Sequence, residues 1–158
     1  MNRLTVKSYA KINLTLEVLG KRTDGYHQIA SVVQAINLHD RLVFVVDNNV
    51  TVECSNPNLA SDHNLSFIAA DRLKQATGCN KGVNIQIQKH IPIASGLGGG
   101  SSNAATTLIA LNQLWGLRLN ADELLPIATS IGSDVPFFLC GGTSTVRGRG
   151  ELVKLMPH

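Results

Sequence analysis

Charge is scarce in this 158-residue chain: Asp, Glu, Lys and Arg together make up 16% of it, against roughly a quarter in an ordinary globular domain. Aromatic residues are scarcer still, at 4%. With 44% hydrophobic residues beside so little charge, the chain is not a disordered polyelectrolyte. The 14 basic and 11 acidic side chains leave a net charge of +3. That surplus can suit a polyanionic small molecule but is too weak to argue for nucleic acid by itself, and the few aromatics disfavour it. Cysteine is limited to Cys54, Cys79 and Cys140, none in a C-x-x-C pair, so three free thiols in a reducing, cytoplasmic compartment are expected. The five histidines form no H-x-x-x-H pair, and no structural metal site is expected. No apolar run approaches the roughly 20 residues that cross a bilayer. The opening MNRLTVKSYAKINLTL alternates and carries lysines, unlike a signal peptide. A chain of this length predicts one domain, burying roughly 70% of the surface it exposes when unfolded.

The first third has the period of strands. Leu4, Val6, Ser8 and Ala10 share one face, and the pattern resumes through Ile12, Leu14 and Leu16. Asp24-Gly25 predicts a turn, and IASVVQAINL and RLVFVV read as strand segments punctuated by His39-Asp40. Asp47-Asn48-Asn49 predicts another turn and VTVEC another strand. In LSFIAADRLKQA the period becomes helical, with Leu65, Ile68, Ala69, Leu73 and Ala76 on one stripe, Asn64 as N-cap and Gly78 as stop. Residues 82–89 alternate as a strand. Helices are expected at about 101–115, with Leu108, Leu111 and Trp115 inward, and at about 121–130 behind the candidate cap Asn120. The tail FFLCGGTSTVRGRGELVKL reads as strand, turn and strand, which makes RGRG a hairpin turn with exposed arginines. The expected class is α+β, with several antiparallel strands and about three helices.

Four segments carry candidate chemistry. The run PIASGLGGGSSNAA places Gly96, Gly98, Gly99 and Gly100 between a strand and an amphipathic helix. Glycines allow backbone N–H groups to converge on an anion, and the helix N-terminus adds about half a positive charge. Ser101 and Ser102 supply hydroxyl donors, so the run suits phosphate. It lacks the G-K-[ST] ending of a Walker loop, and Ser101 stands where the dinucleotide fingerprint needs Gly or Ala. The plainer alternative is a connector that merely turns tightly. Lys11, in AKINLTL, occupies a strand pattern where charged residues are usually solvated. Asp134, before the apolar VPFF, is either a turn-former or a deliberately placed carboxylate. Tyr26 and His27 follow the Asp-Gly turn and could stack on and hydrogen-bond a planar ligand, or serve as ordinary hairpin residues.

Taken in order, AKINLTLEVLGKRTDGYHQI, PIASGLGGGSSNAA and GSDVPFF resemble the GHMP small-molecule kinases. The resemblance runs from about residue 4 to residue 155. It implies the N-terminal, ATP-binding domain of that superfamily, a two-layer α+β sandwich shared with a domain of ribosomal protein S5. It also implies a second domain beyond this chain that completes the substrate pocket. Position by position, it implies that Lys11 and Asp134 are the active-site pair. Pro92, Ile93, Ala94, Ser95, Gly96, Leu97, Gly98, Gly99, Gly100, Ser101 and Ser102 correspond to the ATP phosphate loop. Asn64, Leu65 and Lys89 correspond to positions around adenine and ribose, and Asn13, Tyr26 and His27 to the substrate side. ATP with Mg²⁺ is the implied co-substrate. The DGYH segment is similar to the branch of the family whose acceptor is a cytidine-diphosphate-linked methylerythritol, phosphorylated on its C2 hydroxyl. Homoserine- or mevalonate-type kinases of the same family, a nucleotide-binding piece with little activity, and a nucleic-acid-binding domain of the same fold are the alternatives.

Overall fold

The computed structural model describes residues 2–157; His158 lies outside them. Six strands form one sheet, and four α-helices are described. The first two strands, β1 (Arg3–Lys21) and β2 (His27–Asp47), pair antiparallel along almost their whole length. On its other edge β2 serves two partners. Its C-terminal half pairs with β4 (Gly82–Gln88), and its N-terminal half with β5 (Thr143–Gly148). The short strands β3 (Val50–Cys54) and β6 (Leu152–Leu155) extend the sheet beyond β4 and β5. Among the described residues only the β3–β4 pair is parallel.

Period-two alternation explains the layering. Val83, Ile85 and Ile87 of β4 join Leu42 and Phe44 of β2 in the core, whereas Gln86 and Gln88 face solvent. The covering layer consists of α1 (Leu65–Thr77), α2 (Gly99–Trp115), α3 (Ala121–Ile131) and α4 (Val135–Cys140). Leu73, Leu108, Leu111, Trp115 and Leu124 pack on the sheet in one continuous core. Burying side chains of that size contributes about 1.5–3 kcal/mol each relative to leaving them exposed. The expected two-layer α+β class is the observed one.

Local signals place most boundaries. Asn64 caps α1 by accepting from the Ser66 amide, and Gly78 ends it in the left-handed region. Asn120 and Glu123 form a reciprocal capping box on α3. Four expectations need correction. The FFLC segment is helical, not a strand: Pro136 opens α4, and Val135 and Phe137 are buried beneath it. His39-Asp40 does not end a strand, because β2 runs through it, absorbing extra residues in a bulge opposite Tyr9 and Ala10. The buried stripe of α1 is Ser66, Ala69, Ala70 and Leu73, leaving Ala76 exposed. Finally, the alternation of Ile12, Leu14 and Leu16 is interrupted by a register shift between Asn13 and Thr15, and Leu14 and Leu16 are more than half exposed. No helix among the described residues is long and apolar enough to cross a membrane.

Candidate active site

The glycine run lies between β4 and α2, and α2 starts at Gly99, two residues earlier than expected. Gly98 is the N-cap, at φ +71°, and no side chain caps the helix. The first amides of α2 therefore keep their hydrogen-bonding capacity for a ligand. A Cβ on Gly98 would stand 2.8 Å from the Phe138 ring and 3.2 Å from Lys11 Cγ. A Cβ on Gly99 would stand 3.0 Å from Lys89 Nζ. Gly98 is thus required both by conformation and by space, and Gly99 by space, which a plain connector would not need.

A cavity of about 420 Å³ opens over this run. Its walls include Asn64, Leu65, Lys89, Pro92, Ile93, Ala94, Ser95, Gly96, Gly98, Gly99, Gly100 and Ser101, and it reaches Asp134. Leu97 contributes from behind, where its carbonyl accepts from the Lys11 backbone N–H at 3.0 Å and moors the loop to β1. Ser95 folds the loop on itself by donating to the Pro92 carbonyl at 2.8 Å.

Ser102 departs from its expected role as a hydroxyl donor to phosphate. Its side chain is buried, donates to the Tyr9 carbonyl at 2.6 Å, and lies 2.7 Å from Ser8 Oγ. One helical step past Ser101 points it into the sheet, so it clasps α2 to β1. Asn64 spends its carboxamide on the Ser66 amide and the Leu59 carbonyl, and so meets the cavity mainly as a wall. Lys89, expected beside adenine and ribose, places its ammonium against Gly99. Sequence reasoning missed Leu59, His63 and Asn103, which also line the cavity. Asn103 sits one turn beyond Gly99 and Gly100 on the same helical face, a spacing that could have revealed it. It is only 4% exposed, and its Oδ1 meets no hydrogen-bond partner.

At the rim, Lys11 Nζ lies 3.8 Å from Asp134 Oδ2 and donates to Asn13 Oδ1 at 2.8 Å. The Lys11 side chain is 12% exposed and Asp134 49%. Lys11 therefore faces the site and is not a solvated strand residue. Asp134 occupies the N-cap position of α4 yet makes no capping hydrogen bond, so its carboxylate remains available. A narrow cleft continues past Lys11, Asn13 and Asp134 to Ser31 and Gly150. Beyond it, the Arg149 guanidinium stacks 4.9 Å from the Tyr26 ring centroid. The arginine turn is thus drawn to the DGYH segment. Tyr26 and His27 are exposed and line neither the cavity nor the cleft. Arg22 hydrogen-bonds Asp24 and holds its carboxyl below the usual aspartate range, which shapes the turn ahead of Tyr26.

A backbone cradle at a helix N-terminus, with two ammonium groups and one uncommitted carboxylate around it, is equipped for polyphosphate and a proton-bearing nucleophile. The family model for the N-terminal domain of GHMP kinases matches residues 64–142, half of the chain. This chain belongs to the GHMP kinase family. The matched GHMP segment contains the glycine run and Asp134, while Lys11 and Tyr26 precede it. The chain is 48% identical over 151 residues to the 4-diphosphocytidyl-2-C-methyl-D-erythritol kinase of Thermodesulfovibrio yellowstonii, covering 96% of this chain and 53% of that protein. To the enzyme of the same name from Prochlorococcus marinus it is 46% identical over 156 residues, covering 96% and 50%. A crystal structure of 4-(cytidine 5'-diphospho)-2C-methyl-D-erythritol kinase superposes with a TM-score of 0.82 at 37% identity, over 97% of this chain and 55% of that one. The chain thus spans about half the length of the curated GHMP relatives it matches.

Proposed function

We propose that this chain is the ATP-binding part of a kinase acting on the C2 hydroxyl of 4-diphosphocytidyl-2-C-methyl-D-erythritol, in non-mevalonate isoprenoid precursor synthesis. One observation carries the reading: the Lys11–Asp134 pair stands at the edge of the cavity whose floor is the glycine cradle. The relatives' shared name supports the choice of acceptor.

ATP lies with its phosphates over Gly98–Ser101 and its base toward Asn64 and Leu65. The amides of the cradle offset charge on the β- and γ-phosphate oxygens as it redistributes. Asp134 takes the proton of the acceptor hydroxyl; the hydroxyl oxygen bonds to the γ-phosphorus. The bond from that phosphorus to the β–γ bridging oxygen breaks, and ADP leaves with the electron pair. Lys11, beside that carboxylate, steadies the attacking oxygen. Asn13 orients Lys11, while Tyr26 stacks on cytosine and His27 hydrogen-bonds it. Ser101, Asn103 and Asp134 offer the hard oxygen donors that suit Mg²⁺ carried in by the phosphates. Free thiols and small, charged substrates suit the cytoplasm.

The test joins this chain to the C-terminal half of the Thermodesulfovibrio yellowstonii relative. Mass spectrometry then follows the cytidine-diphospho substrate incubated with ATP and Mg²⁺. A gain of one phosphoryl group is expected; no gain in a folded chimera that binds ATP rejects this acceptor.

A further inference from the structure

Asp40 is fully buried, it is charged, and the chemistry above makes no use of it. Its Oδ1 accepts from the backbone amides of His90 (2.7 Å) and Ile91 (2.8 Å), where β4 gives way to the glycine run. Its Oδ2 takes the ammonium of Lys89. That ammonium is 11% exposed at the side-chain level and forms part of the cavity wall against Gly99. In the β1–β2 ladder Asp40 lies opposite Ser8, whose hydroxyl meets the Ser102 clasp.

Two amides could be satisfied by a neutral side chain, and a buried ion pair is weak evidence of stabilisation, since desolvation offsets much of the attraction. Placement accounts for the charge better. One carboxylate binds the start of the loop and also aims a lysine into the cradle the loop forms. We propose that Asp40 is a positioning residue for nucleotide binding, holding the Lys89 ammonium against the phosphates of ATP while anchoring the entrance of the glycine run. The inference rests on the ATP reading given above. Without the carboxylate, the ammonium has no counter-charge in a nearly dry wall and swings toward water, away from the phosphates.

Calorimetry of ATP and adenosine binding to this chain, to Asp40→Asn, to Lys89→Met and to the double variant tests the route. Asparagine still accepts from the two amides but cannot pair with the lysine. Asp40→Asn is expected to weaken ATP binding about tenfold or more while leaving adenosine binding unchanged, and to add nothing in the Lys89→Met background. A lowered melting temperature with unaltered ATP affinity makes Asp40 purely structural and overturns the proposal. So does tighter ATP binding, or a full effect that persists without Lys89. If the unsubstituted chain fails to bind ATP, the nucleotide reading itself falls. Should Asp40→Asn not fold, NMR of the unsubstituted chain decides. The Lys89 ammonium nitrogen and the Asp40 carboxyl carbon are expected to shift together with ATP and not with adenosine; unmoved signals overturn the proposal.

Discussion

The two ends of the candidate site are built differently. The phosphate end is interlocked: Lys11 moors Leu97, Ser102 clasps β1, and Asp40 grips both the loop entrance and Lys89. The acceptor end is an exposed arm. Tyr26 and His27 lie on the surface, ordered by the Arg22–Asp24 pair and the Arg149 stack, and the neighbouring Leu14, Leu16 and Val18 are 55–63% exposed. The difference teaches that the glycine-run end is held by contacts within this chain, whereas the Tyr26 arm has few.

The comparison can be broken first at the residue where the ends meet. In the chimera described above, Asp134→Asn is expected to lower turnover by roughly 10²–10⁴-fold, with ATP affinity nearly unchanged. Turnover close to normal would remove the proton-accepting role. Next, Gly98→Val should cut ATP affinity by about a hundredfold in calorimetry. Its branched side chain must displace Phe138 or Lys11 and also adopt a left-handed backbone. Unchanged affinity would turn the interlocked end into a mere connector. Ser102→Ala removes the clasp and leaves the Tyr9 carbonyl unpaired by it. A loss of about 1–3 kcal/mol in denaturant unfolding is expected, with much of the ATP affinity kept. Equal loss of both would return Ser102 to the phosphate contacts.

The smallest effect belongs to the arm. Hydrogen bonding from Arg22 lowers the Asp24 pKa, so the pair's contribution is present above the ordinary aspartate range. It disappears only as pH falls through the lowered value. The Tyr26 amide, which donates to Asp24 Oδ1, should therefore titrate by NMR with a midpoint below that of aspartate in a free peptide of this turn. Asp24 is exposed and Arg22 half-buried at the surface, so Asp24→Asn should barely move the melting temperature. A peptide-like midpoint would mean that the arm is not ordered by this pair.

What could be read beforehand was local. The strands at 50–54 and 82–88 and the caps at Asn64, Gly78 and Asn120 depend on residues within a few positions of one another. What escaped depends on distant partners. Asp40 resembles strand punctuation until Lys89, 49 residues away, neutralises it. Lys11 resembles a solvated strand residue until Asp134 arrives on another element. The FFLC segment has the composition of a strand, but it follows Pro136 in a helix and packs on distant residues such as Val33 and Val146. The resemblance of three motifs to one family supplied the Lys11–Asp134 pairing that periodicity could not.

Lys11 touches both sides of the site, with its amide on Leu97 and its ammonium facing Asp134. A single amino acid therefore spans the gap between the glycine run and the Asp134 carboxylate. Misalignment between the two is limited to the few torsions of one side chain, so any shift of the loop at Leu97 is passed directly to the neighbourhood of Asp134.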